Sequence, residues 1–129
     1  LSRKEVTTKT AGTVGFCMGG QLSFTAACLN PDVGACVIFY GIHPKIKPKI
    51  ENLRAKVLGF FGAKDKGVPV DSVKKLEADL KAAGKSVDFT IFPDCDHAFF
   101  NDTRKEVYNQ ARAMESWTKM VKFFRENLK

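Results

Sequence analysis

The chain has 129 residues, of which 44% are hydrophobic and 27% charged, the proportions of one soluble globular domain able to bury an ordinary core. No run approaches the roughly 20 apolar residues of a membrane span, so no membrane partner is expected. The net charge of +7 is carried by dispersed lysines; the only dense set, Lys45, Lys47 and Lys49, alternates with Ile46, Pro48 and Ile50. Neither a recognition helix nor an aromatic stacking platform accompanies it, so the charge reads as solvated surface and no nucleic-acid partner is expected.

Residues 1–10 are polar and read as a loop without the apolar stretch of a signal peptide. A start at Leu1 rather than Met suggests a processed product or a fragment. Gly12 to Phe16 is the first strand, and an almost wholly apolar helix follows from Met18 to about Leu29, a pattern that predicts burial all round. Ala35 to Tyr40 is a continuous apolar run, as in a parallel strand covered on both faces. Residues 42–54, with Pro44 and Pro48, form an irregular excursion before a third strand over Ala55 to Phe61.

Asp71 is the expected N-cap of the next helix and Gly84 its C-cap. Ser86 to Phe92 alternates apolar and polar residues, which reads as a strand at a sheet edge. A last helix is predicted from about Lys105 to Asn127, with Val107, Ala111, Met114, Trp117, Val121, Phe124 and Leu128 as its core stripe. Strands and helices alternate, so the fold class is α/β: a mostly parallel sheet of about four strands with flanking helices, one domain over residues 1–129.

Three places carry chemistry. In Gly15-Phe16-Cys17-Met18-Gly19-Gly20 an apolar strand stops at a thiol among small residues and a helix begins at once, which is what a strand–sharp turn–helix elbow needs. Gly15 and Gly19 are expected to admit close backbone and Gly20 to let the helix sit against the strand. A thiol there meets the unpaired N–H groups and partial positive charge of a helix N-terminus, which favour thiolate; a buried structural cysteine is the blander alternative. Asp65 and His97 lie in loops after the third and fourth strands, at the sheet end where open α/β sheets build their sites. Alone, each is better explained blandly, Asp65 as a turn or capping residue and His97 as a structural or solvated histidine.

Together they follow the chain order nucleophile, acid, histidine of the α/β-hydrolase fold, at intervals of about 48 and 32 residues. Metal binding is not expected, since adjacent Cys95, Asp96 and His97 do not suit a tetrahedral site. A dinucleotide-binding turn would need a Gly-x-Gly-x-x-Gly spacing that Gly15 to Gly20 does not provide. The four cysteines, Cys17, Cys28, Cys36 and Cys95, lack paired spacing and fit free thiols in a reducing cytoplasm.

The elbow, Phe61-Gly62-Ala63-Lys64-Asp65 with Val68-Pro69, and His97-Ala98-Phe99-Phe100-Asn101-Asp102 resemble the dienelactone hydrolase (carboxymethylenebutenolidase) family of cysteine α/β-hydrolases. Tyr40-Gly41, the region of Tyr108 and the helix of Trp117 fit it too. The resemblance implies a hydrolase of esters or lactones with Cys17 as nucleophile, His97 as general base, Asp65 as its orienting partner and the Met18 N–H as an oxyanion donor, with no cofactor. Departures are mild at Phe92, Cys95 and Ala98, where the family favours Tyr, a small residue, and Gly or Ser.

The larger departure is length, because the resemblance covers the family's C-terminal half. The four strands before the nucleophile strand do not match, nor do the second oxyanion amide, an acidic residue that helps activate the thiol, and a substrate-binding arginine. The competing expectation is a non-catalytic remnant of the fold serving binding or assembly. With the nucleophile strand as an open edge, a homo-oligomer is expected.

Overall fold

The computed structural model describes residues 1–129. Four strands, β1 (Ala11–Phe16), β2 (Val33–Phe39), β3 (Lys56–Gly62) and β4 (Val87–Phe92), form one parallel sheet in the order β1-β2-β3-β4. Helices α1 (Met18–Leu29), α2 (Val70–Ala82) and α3 (Gln110–Asn127) complete the α/β architecture. Residues 42–54 cross between β2 and β3 without a helix or strand, as their prolines require.

The continuous apolar run of β2 has a direct cause in the layers. Cys36 and Ile38 face α1 and α2, packing with Phe24, Ala27, Val57, Val73 and Leu80. Val37 and Phe39 face α3, packing with Leu58, Phe60, Phe92, Phe99 and Met120. A strand covered on both sides has no use for alternation. The sheet ends at β4, as its alternating sequence predicts, and also at β1.

Several boundaries and faces differ from the expectations. Pro69, not Asp71, occupies the N-cap of α2; its fixed φ leads into the helix, and Asp71 lies in the first turn, where a negative charge meets the helix dipole. Gly84 does close the helix: with φ of 74° it donates to Lys81 O while Lys85 donates to Leu80 O, a Schellman pair. The last helix begins at Gln110 rather than Lys105, because Asn109 caps it by accepting from the Arg112 N–H at 3.1 Å, and residues 101–108 turn instead.

Its buried residues are Ala113, Ser116 and Met120, while Met114 and Trp117, expected in the core, are exposed. Small Ala113 and Ser116 let α3 lie close to the sheet, rotating the bulkier side chains outward. Helix α1 is likewise buried on one side only: Gly20, Phe24, Ala27 and Cys28 face the sheet, whereas Met18, Leu22 and Leu29 are exposed on the side of the end strand β1. No helix is long and apolar enough to cross a membrane.

Candidate active site

The end of β1 sets the geometry. Cys17 takes φ 57° and ψ −124°, a left-handed backbone that a non-glycine residue holds only when its surroundings insist. Its N–H donates to Phe39 O at 3.0 Å and its carbonyl accepts from the Gly20 N–H at 2.9 Å, so the turn is pinned to β2 and to α1 at once. Gly15 is obligatory: a Cβ there would stand 1.8 Å from the Gly19 carbonyl oxygen. Gly19 itself has open space where its Cβ would be, so its expected role in admitting close backbone is corrected; the crowding falls on Gly15 and on Gly20, whose Cβ would meet Phe39 O at 3.0 Å. Cys17 is exposed, at the start of α1, and Met18 is the first helical residue, so its N–H has no intrahelical acceptor.

Asp65 sits in the turn after β3 and is 4% exposed. Its Oδ1 accepts from the Gly67 N–H at 2.8 Å and the Val68 N–H at 3.0 Å, which fixes the carboxylate plane. Its Oδ2 lies 2.6 Å from His97 Nδ1. The other ring nitrogen, His97 Nε2, lies 3.1 Å from Cys17 Sγ. Three side chains from three loops, 80 residues apart at the extremes, thus form one line from carboxylate to imidazole to thiol.

The loop carrying His97 is braced from α3. Asp94 accepts from Arg112 Nε at 3.0 Å and from Asn109 Nδ2 at 3.1 Å, and the Asn109 N–H donates to Phe99 O at 2.9 Å. Ala98 turns the chain after His97 with φ of 61°. Sequence reasoning missed this brace, since Asp94, Asn109 and Arg112 are ordinary surface residues by type and only the fold brings them together. Tyr40, expected from sequence as the last residue of the second strand, instead follows β2 with φ of 41° and packs edge-on to the His97 ring at 5.1 Å between centroids. Burial, with the Cys17 thiol beside it, pushes its hydroxyl up to about 12.

A cleft of about 770 Å³ opens over Cys17 and His97, walled by Phe16, Tyr40, Phe100, Tyr108, Met114 and Trp117, with Arg104 at its rim. The stripe positions Met114 and Trp117, read from sequence as core, therefore line the site. A smaller hollow of about 170 Å³ lies on the other side of the pair, by Met18, Gly41 and His43. Burial pushes the remaining thiols up, Cys28 and Cys95 to about 11 and Cys36 in the same direction. Cys17 stands apart from them by exposure and by its imidazole neighbour.

Comparison with known proteins gives one answer. The model of the dienelactone hydrolase family matches residues 1–128. A protein of Methylorubrum extorquens named "Putative carboxymethylenebutenolidase" is 35% identical over 124 residues, covering 89% of this chain and 42% of its own length. Protein usf of Aquifex pyrophilus is 35% identical over 121 residues, covering 93% of this chain and 52% of its own. The chain thus spans about half the length of the curated relatives it matches. Among solved structures, the "Putative Dienelactone Hydrolase" of Klebsiella pneumoniae superposes with a TM-score of 0.81 at 34% identity, over 88% of this chain and 51% of that one. A dienelactone hydrolase-like promiscuous phosphotriesterase from metagenomic libraries shares the fold, with a TM-score of 0.87 at 21% identity over 99% of this chain and 56% of its own.

Proposed function

Because the chain belongs to the dienelactone hydrolase family, we propose that it cleaves a carboxylic ester or lactone through a thioacyl intermediate on Cys17. The observation that carries this reading is the unbroken line Asp65–His97–Cys17, with contacts of 2.6 and 3.1 Å. Asp65 holds the imidazole with its proton on Nδ1, leaving Nε2 free to accept. Nε2 takes the Cys17 proton as Sγ attacks the carbonyl carbon, and the carbonyl oxygen becomes an oxyanion facing the Met18 N–H. Collapse breaks the C–O bond, and the leaving oxygen receives the proton from Nε2. Water then attacks the thioester with Nε2 again as base, releasing the acid and the thiol.

The aromatic walls of the cleft suit an apolar substrate body. The free thiols suit a reducing compartment such as the cytoplasm. Met18 is the single backbone donor assigned to the oxyanion, and such a contact is worth about 3–4 kcal/mol of barrier, so this chain alone is expected to turn over slowly.

The test is acylation rather than turnover. With p-nitrophenyl acetate, one equivalent of nitrophenol should be released and an acetyl adduct should map to Cys17 by mass spectrometry. Cys17→Ala should abolish both. An adduct on a lysine, or an undiminished release from Cys17→Ala, would overturn the assignment.

A further inference from the structure

One polar group beside the reacting pair takes no part in the mechanism. The hollow of about 170 Å³ on the other side of Cys17 and His97 from the aromatic cleft is walled by Met18, His43, Gly67 and Val68. Most of that wall comes from the turns after β2 and β3, the two inner strands of the sheet. Its shape is therefore set at the centre of the fold and not by either edge.

His43 is held there by the elbow itself. A Cβ on Gly41 would stand 2.1 Å from the Cys17 carbonyl oxygen, so the chain leaving β2 runs directly against the first turn of α1. Two residues on, the His43 N–H donates to Gln21 Oε1 at 2.8 Å. Gln21 is 3% exposed and its amide nitrogen donates to Thr25 Oγ1 at 3.3 Å, which keeps the acceptor in place. The ring is fixed as well, because His43 Nδ1 accepts from the Lys45 N–H at 3.1 Å. A neutral imidazole that accepts on Nδ1 carries its proton on Nε2. That N–H meets no acceptor within the chain, so an oriented donor stands at the hollow with its hydrogen bond unused.

On the thioacyl reading above, we propose that His43 is a specificity residue for the acyl group. The hollow takes a short acyl chain that bears an acceptor oxygen, such as an ether or hydroxyl, and His43 Nε2–H donates to that oxygen. Met18, whose N–H faces the oxyanion, borders this hollow and not the aromatic cleft, which places the carbonyl at its mouth. The acyl group also stays on Sγ through both steps, whereas the alcohol leaves after the first and has the wider cleft as its way out. At about 30 Å³ per atom, the share of a water molecule in the liquid, there is room for about six non-hydrogen atoms. A donor built into a site discriminates most against the analogue that lacks the acceptor, because the donor then gives up water and gains no partner.

The test compares p-nitrophenyl esters that differ by one oxygen in place of one methylene: methoxyacetate against butanoate, and 3-methoxypropanoate against pentanoate. Acylation rates of the whole chain are read from nitrophenol release, as the ratio of each ether to its carbon twin. Intrinsic reactivity then cancels between variants. In His43→Met at least one ratio should fall about tenfold, the effect of losing one hydrogen bond. In His43→Gln, whose amide NH₂ reaches the level of Nε2, that ratio should return to within threefold of the parent. Circular dichroism reports folding; if His43→Met does not fold, His43→Asn, whose amide stops at the level of Nδ1, takes its place with the same expected fall. Ratios that ignore His43 while acyl adducts still map to Cys17 would overturn the proposal and leave the mechanism standing. Esters that leave no adduct on Cys17 would overturn the mechanism, and the role of His43 with it.

Discussion

In the proposed mechanism Asp65→Asn isolates the orienting role of the carboxylate, because the structure dictates how the amide must sit. Two backbone donors, the Gly67 and Val68 N–H groups, converge on Oδ1. An Asn side chain can answer them only with its oxygen, which leaves its NH₂ facing His97 Nδ1. Nδ1 must then accept, so the ring proton moves to Nε2 and points at Cys17 Sγ. The base has become a donor toward the very atom it should deprotonate. In hydrolase triads the same exchange lowers kcat about 10⁴-fold through the wrong tautomer, or about 5 kcal/mol of barrier.

Thiol chemistry reads the same event without relying on turnover. An unaided thiol is only a few per cent thiolate at pH 7, so an adjacent base that takes the proton during attack speeds its reactions. Alkylation of Cys17 by iodoacetamide at pH 7 should therefore slow roughly 10- to 30-fold in Asp65→Asn, while the circular dichroism spectrum stays that of the parent. A folded variant whose Cys17 alkylates within threefold of the parent rate would refute the tautomer argument and reduce Asp65 to a turn residue.

Two further outcomes follow from the buried groups. Cys17 should be alkylated well ahead of Cys28 and Cys95: thiols raised from the ordinary 9.0 to about 11 hold about 100-fold less thiolate near neutral pH than an unshifted one. Their greater intrinsic nucleophilicity returns only about tenfold of that. Peptide mapping after limited labelling checks the order, and Cys95 labelled first would refute it. The same shifts make the fold sensitive to alkali. Cys28 and Cys95 bind their protons more tightly folded, at about 11, than at the ordinary 9.0, so their contribution is whole below pH 9 and is lost as pH rises through 11. Each shift corresponds to about 3 kcal/mol at most, so the melting temperature should fall by several degrees between pH 9 and 11, and a flat profile would count against burial of these thiols.

The parallel α/β class, the two-sided burial of β2 and the placement of Cys17, Asp65 and His97 just past strand ends could be read in the sequence because each rests on a local signal: an apolar run, a glycine-flanked thiol, a polar residue just past a strand. What could not be read depends on how neighbouring elements lie. The composition of α1 predicts burial all round, yet Leu22 and Leu29 face outward on the side of the end strand β1. On α3 the three–four spacing supports more than one stripe. The choice between Trp117 and Ser116 is made by how closely the helix approaches the sheet, which favours the small residue. Asp94, Asn109 and Arg112 carry no signal at all until the loop after β4 is folded against the start of α3.

Backbone strain draws the site more sharply than residue type does. Three non-glycine residues have positive φ, Cys17 at 57°, Tyr40 at 41° and Ala98 at 61°. They belong to the turns that end β1 and β2 and to the loop beyond β4, all at one end of the sheet. Each costs of order 1–3 kcal/mol and persists only where its surroundings over-determine it. The surroundings are visible in every case. Cys17 is tied to Phe39 and Gly20; Tyr40 donates its N–H to Phe60 O at 2.8 Å; the Ala98 carbonyl accepts from Asn101 at 3.0 Å beside the Asn109–Phe99 bond. Three left-handed residues gathered around one thiol and one imidazole put strain where Cys17 is presented, Tyr40 is packed and His97 is aimed. Elsewhere positive φ occurs only at Gly84, where glycine takes it without steric cost, so the strain falls on the turns that position Cys17 and His97.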